Sequence, residues 1–144
     1  MKSALLHVAQ VCGLLLCVCC FGADQIKTTY RYKGFDTNGT LVVEGVLSLS
    51  INNTNRVEGD WKLHEVKPEN TKNLGSQIGS GKLAGQINES KINLDLNPGQ
   101  ADDNVLLSGE VTTTNISGTW GYYGYAGKIV GGKFEAVKKI KPSS

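Results

Sequence analysis

A chain of 144 residues with 15 lysines and arginines against 13 aspartates and glutamates has room for one domain. It carries no charge excess that would draw it to nucleic acid. All four cysteines, Cys12, Cys17, Cys19 and Cys20, lie near the N-terminus, so a domain beginning beyond them has no disulfide, no cysteine nucleophile and no zinc site of the usual composition.

The N-terminal residues set themselves apart. Met1-Lys2 gives a positive start, Val11 to Cys20 is almost wholly apolar, and after Phe21, Gly22 and Ala23 the chain turns polar at Asp24-Gln25-Ile26-Lys27. That order marks a secretory signal, and the apolar run falls short of the roughly 20 residues that span a bilayer. The reading is a signal segment over residues 1–23 and a single all-β domain over 24–144, secreted or otherwise extracytoplasmic. Cys20, preceded by Val18-Cys19, offers lipid attachment as the alternative, with a membrane as partner only in that case.

Within the domain, apolar residues recur every second position rather than with helical spacing. The first strand, near 26–35, alternates Ile26, Thr28, Tyr30 and Tyr32 with Lys27, Thr29, Arg31 and Lys33. Asp36-Thr37-Asn38-Gly39 holds the Asn-Gly pair that favours a type I′ hairpin and leads to a second strand near 40–51. After the turn at Asn52–Asn55, a third strand near 56–66 alternates Val57, Gly59, Trp61 and Leu63 with Glu58, Asp60, Lys62 and His64. Lys67 to Ser80 has no strand pattern. Loops of that length are often functional, and this one is expected either to cap a barrel end with Leu74 and Ile78 folded inward, or to be a plain connector. Strands near 81–88, 91–97, 104–113, 116–124 and 129–140 complete the chain. Eight strands linked in sequence by short turns pair as antiparallel hairpins. They suit an up-and-down, strongly curved sheet or closed barrel, with a two-sheet sandwich as the alternative.

One pattern repeats in five strands: apolar, any, glycine, any, apolar. It occurs at Val43-Gly45-Leu47, Val57-Gly59-Trp61, Leu83-Gly85-Ile87, Leu107-Gly109-Val111 and Ile116-Gly118-Trp120. Alternation puts each glycine on the inward face, where it permits sharp bending and close backbone approach. Inward glycines also suggest interior room, beyond what two indoles fill. Gly59-Asp60-Trp61 and Gly118-Thr119-Trp120 are similar to the glycine-x-tryptophan motif of lipocalin-like and avidin-like barrels, the calycin architecture. In those families the motif usually marks the first strand; here it falls on the third and seventh. The resemblance implies the architecture and brings no ligand with it.

Catalytic chemistry finds little to use. His64 is the one histidine beyond the signal segment, and alternation sets it on a wet face beside Lys62, with no serine elbow to pair with. The glycine-rich run Gly75 to Gly81 lacks the lysine and hydroxyl of a phosphate loop. No enzyme activity and no cofactor is expected. Asp102, Asp103 and Asn104 are weak candidates for a calcium site, since oxygen donors clustered in one turn also serve the turn itself. The C-terminal lysines read as protection of an edge strand. Asn38, Asn52, Asn88 and Asn115 fit the glycosylation pattern and matter only in a glycosylating host. The candidate ligand-binding residues are the inward aromatics Trp61, Trp120, Tyr30, Tyr32 and Tyr122. The expected role is a non-catalytic binding module for a small apolar molecule, the alternative a structural or interaction protein of the cell envelope with a filled core.

Overall fold

The computed structural model describes residues 26–66 and 74–140. The signal segment over 1–23 and the attachment point at Cys20 lie outside the described residues. Eight strands follow one another: β1 (Thr28–Phe35), β2 (Leu41–Ile51), β3 (Arg56–Glu65), β4 (Gly79–Asn88), β5 (Lys91–Asp95), β6 (Asn104–Val111), β7 (Asn115–Gly124) and β8 (Gly127–Lys138). Each is antiparallel to its chain neighbour, and β1 pairs with β8 from Tyr30↔Lys138 to Phe35↔Lys133, which closes the barrel. Closure removes the two-sheet alternative. It also removes the free edge that the C-terminal lysines were expected to protect, because β8 is hydrogen-bonded on both sides.

Two tight connections share one device. The Asp36 carboxylate accepts the N–H groups of Asn38 at 2.9 Å and Thr40 at 2.8 Å. Asn52 Oδ1 accepts those of Thr54 and Arg56, each at 2.9 Å. In both, the residue three after the capping side chain has positive φ, +81° at Gly39 and 62° at Asn55. This is a three-residue loop ending in a bulge rather than the type I′ turn expected at Asn38-Gly39. The aspartate side chain satisfies two backbone donors that a two-residue turn would leave differently placed.

Alternation places the core. Of the apolar positions in the five-strand pattern, Val43, Leu47, Val57, Trp61, Leu83, Leu107, Ile116 and Trp120 are buried, while Ile87 and Val111 are half-buried against the core. Ile26 departs from it, being 86% exposed, because the chain pairs only from Thr28 onward. The glycines between the apolar pairs mark close strand approach. A Cβ on Gly59 would stand 1.9 Å from the Ser48 carbonyl oxygen, and one on Gly118 2.1 Å from that of Ser108. The absent side chains therefore accommodate the neighbouring backbone of a tightly coiled sheet. They do not leave interior room, contrary to the expectation from sequence.

The two tryptophans occupy matching stations. Trp61 on β3 donates its indole N–H to the Leu96 carbonyl, just past β5, at 2.6 Å. Trp120 on β7 donates to the Phe35 carbonyl, at the end of β1, at 2.9 Å. Each bond skips one strand in the same sense around the barrel, so strands β1–β4 and β5–β8 place their indoles alike.

Candidate functional site

In an up-and-down barrel the β1–β2, β3–β4, β5–β6 and β7–β8 connections share one end. Both indole N–H groups reach towards that end, through Phe35 and Leu96. Tyr32 stacks on Phe134, with ring centroids 5.7 Å apart. Its ring leans over Gly34, the hydroxyl 3.2 Å from where a Cβ would sit. Tyr32 is 1% exposed and its hydroxyl has no hydrogen-bond partner. Burial holds the phenol well above the usual tyrosine range, since an ionised oxygen there would be stripped of water.

A short 3₁₀ turn, Gly75–Gln77, sits at this end. Leu74 is buried and packs into the core cluster. Gly75 has φ +64°, and a Cβ on it would fall 2.3 Å from the Tyr122 ring, so glycine is required on both counts. Ser76 Oγ donates to the Asp103 carbonyl at 2.5 Å and accepts from Asn97 Nδ2 at 2.7 Å. Gln77 is fully buried; its Nε2 donates to the Leu74 carbonyl at 2.9 Å while Oε1 has no partner. Residues 67–73 of the expected cap lie outside the described residues; of its two inward candidates Leu74 is buried, and Gln77 rather than Ile78 is the second buried residue. Ile78 is 41% exposed and points away, because the 3₁₀ turn breaks the two-residue period and turns Gln77 inward instead.

The other candidates separate by position. Trp61, Trp120, Tyr32 and Tyr122 converge on the capped end, the first three buried and Tyr122 half-buried. Tyr30 is half-buried and lies two residues nearer the opposite end. The Asp102–Asn104 turn uses its side chains partly within the turn and partly on its neighbours. Asp102 Oδ1 accepts the Asp103 N–H at 3.0 Å and Asn104 Nδ2 donates to the Gln100 carbonyl at 3.3 Å. The Asp103 carboxylate, hydrogen-bonded to the Tyr122 hydroxyl, raises that phenol. Asn104 Oδ1 is buried without a partner. Among the described residues no three His, Cys, Asp or Glu side chains are grouped to hold a metal. His64 lies on the outer face, 3.2 Å from the Glu44 carboxylate.

Sequence reasoning passed over Gln77. A polar residue between glycines gives no sign of burial, and the apolar pair around it drew attention to Ile78. Clefts also lie on the outer face of the barrel, among them one of about 650 Å³ and one of about 1190 Å³ that reaches the β1–β2 connection.

These features define the class: a closed, eight-stranded, up-and-down barrel of calycin architecture with one capped end. No protein-family model matches the chain, and a search of curated proteins returns no match. Among solved structures it is similar to that of intact afifavidin in its apo form, with a TM-score of 0.52 and 15% sequence identity, over 86% of this chain and 88% of that one. The barrel is of the avidin type. At that identity the likeness establishes the fold alone.

Proposed function

We propose that this is an exported, non-catalytic binding module that takes a small, mainly apolar molecule at the capped end of its barrel. The observation that carries the reading is the Tyr32 hydroxyl, buried and without a partner among apolar walls. Leaving a buried hydroxyl unsatisfied costs about 1–3 kcal/mol, and a ligand with one polar group would recover it. Apolar lining with a single orienting polar atom is the usual composition of such a site. The Leu74–Gln77 turn would move aside on binding, since among the described residues its side-chain hydrogen bonds to the barrel run through Ser76.

The test is a panel of fatty acids, terpenes and indoles against the purified domain, read by tryptophan fluorescence and melting temperature. Binding raises stability by mass action and perturbs Trp61 or Trp120, and Tyr32→Phe weakens it. Indifference to the whole panel would overturn the reading. Intact mass from the native host tests export. A mass lacking residues 1–23 supports secretion, and an acylated Cys20 selects the anchored alternative.

A second reading, a structural envelope protein with a filled core, is favoured by one observation. Both indoles are buried and both N–H groups are satisfied within the chain. It expects Trp61→Ala and Trp120→Ala each to cost about 3–5 kcal/mol by opening a cavity, with no ligand able to refill it. The binding reading expects less.

A further inference from the structure

The outer face carries an arrangement of side chains of different chemistry. Arg56, Gln86, Asn93, Ser108 and Thr119 are successive register partners across β3 to β7, and all five are exposed. At about 4.8 Å between strands, they form a row of hydrogen-bonding groups roughly 19 Å long that follows the curve of the barrel. Beside it runs a second row of register partners, Ala84, Asp95, Leu106 and Gly121, in which Leu106 is an exposed apolar side chain. The Tyr123 ring lies against Gly121, 2.7 Å from where a Cβ would stand. Residues of both rows line a trough of about 650 Å³ on the outer face.

We propose that this trough binds a linear acidic oligosaccharide. Two amides and two hydroxyls in line offer donors and acceptors together, which suits the hydroxyl edge of a sugar chain. Leu106 and the Tyr123 ring, both in the lining, suit its carbon–hydrogen faces. Charge selects the acidic kind. Arg56 and Lys128 stand among the lining residues of the trough; Asp95, the carboxylate in that lining, accepts the Asn97 N–H at 2.9 Å, and Glu58 lies just outside it, in register with Ala84. A nucleic acid strand would want several stacking rings, and the trough has one.

The experiment is calorimetry of the domain with a tetramer of galacturonic acid and with a neutral cello-oligosaccharide of equal length. The acidic chain binds, more weakly as salt rises, and the neutral chain binds at least tenfold less tightly. Gln86→Ala with Asn93→Ala lowers affinity for the acidic chain at least tenfold while the melting temperature stays put, and Arg56→Gln erases the preference for acid. Failure of the acidic chain to bind, equal affinity for both chains, or binding that survives the double variant would overturn the proposal. So would sedimentation showing this face buried between copies of the chain.

Discussion

The Trp61 indole nitrogen lies 3.0 Å from the point that a Cβ on Gly81 would occupy, and the two residues are register partners on β3 and β4. Trp120 and Gly132 repeat the relationship across β7 and β8 at the same distance. Each indole is seated on a glycine of the next strand, and its N–H is then free to reach a carbonyl at the capped end.

Gly81→Ala should therefore press on the ring and cost about 1–3 kcal/mol, the usual range for overpacking. Combining it with Trp61→Phe should cost less than the sum of the two changes, because the smaller ring makes room. Gly132→Ala should be worse than Gly81→Ala, since its Cβ would also meet the Phe35 carbonyl oxygen at 1.8 Å, the acceptor of the Trp120 indole. Urea denaturation of the four variants checks the order.

Gly75→Ala should unseat the cap without unfolding the barrel. The new methyl is placed both in a disfavoured backbone region and against the Tyr122 ring. Hydrogen exchange should lose protection at Leu74 to Gln77 while β1 to β8 keep theirs. Equal loss throughout would mean that the turn is integral to the barrel.

Tyr32 should be the last of the five tyrosines to ionise. Burial raises its folded value far above the roughly 10 of an unfolded chain. Its neutral form thus favours the folded state fully below about pH 10, and that contribution is lost as pH rises further. Ultraviolet difference absorbance should show one phenol ionising only as the barrel unfolds, and Tyr32→Phe should remove that step.

Asp60 gives the acid side. It is hydrogen-bonded to Lys27 and to Lys82, the latter at 2.5 Å, and these lysines lower its carboxyl to about 2. A lowered folded value means stability present above the unfolded value near 3.8 and lost as pH falls through about 2. All three side chains are well exposed, so the effect is small and screened by salt. Asp60→Asn should flatten the melting temperature between about pH 4 and about pH 2 relative to the native chain, and added salt should shrink the difference.

How much of this was legible in the sequence depends on the range of the interaction. Strand limits followed local alternation to within a few residues, and the in-or-out sense of Tyr32, Trp61, His64 and Trp120 came with it. Turn chemistry was half legible. Asp36 and Asn52 announced turns, but the loop type depended on which backbone donors their oxygens would reach. The seats of the indoles were invisible, because Gly81 and Gly132 become partners of Trp61 and Trp120 only once the register across strands is known. The same holds for the Arg56-to-Thr119 row, which draws one residue from each of five strands. Gln77 was hidden by a short helical turn inside a chain otherwise read with period two.

The indole bonds have a consequence for how the barrel comes apart. Trp61 belongs to the first four strands but finds its acceptor at Leu96, in the second four; Trp120 belongs to the second four and finds its acceptor at Phe35, in the first. Each half therefore lends the other the partner for its largest side chain. Separating them exposes two indoles and orphans two carbonyls at once, on top of breaking the β1–β8 and β4–β5 ladders. Neither half has a resting place short of complete disassembly, so heat or denaturant should take the molecule in a single cooperative step.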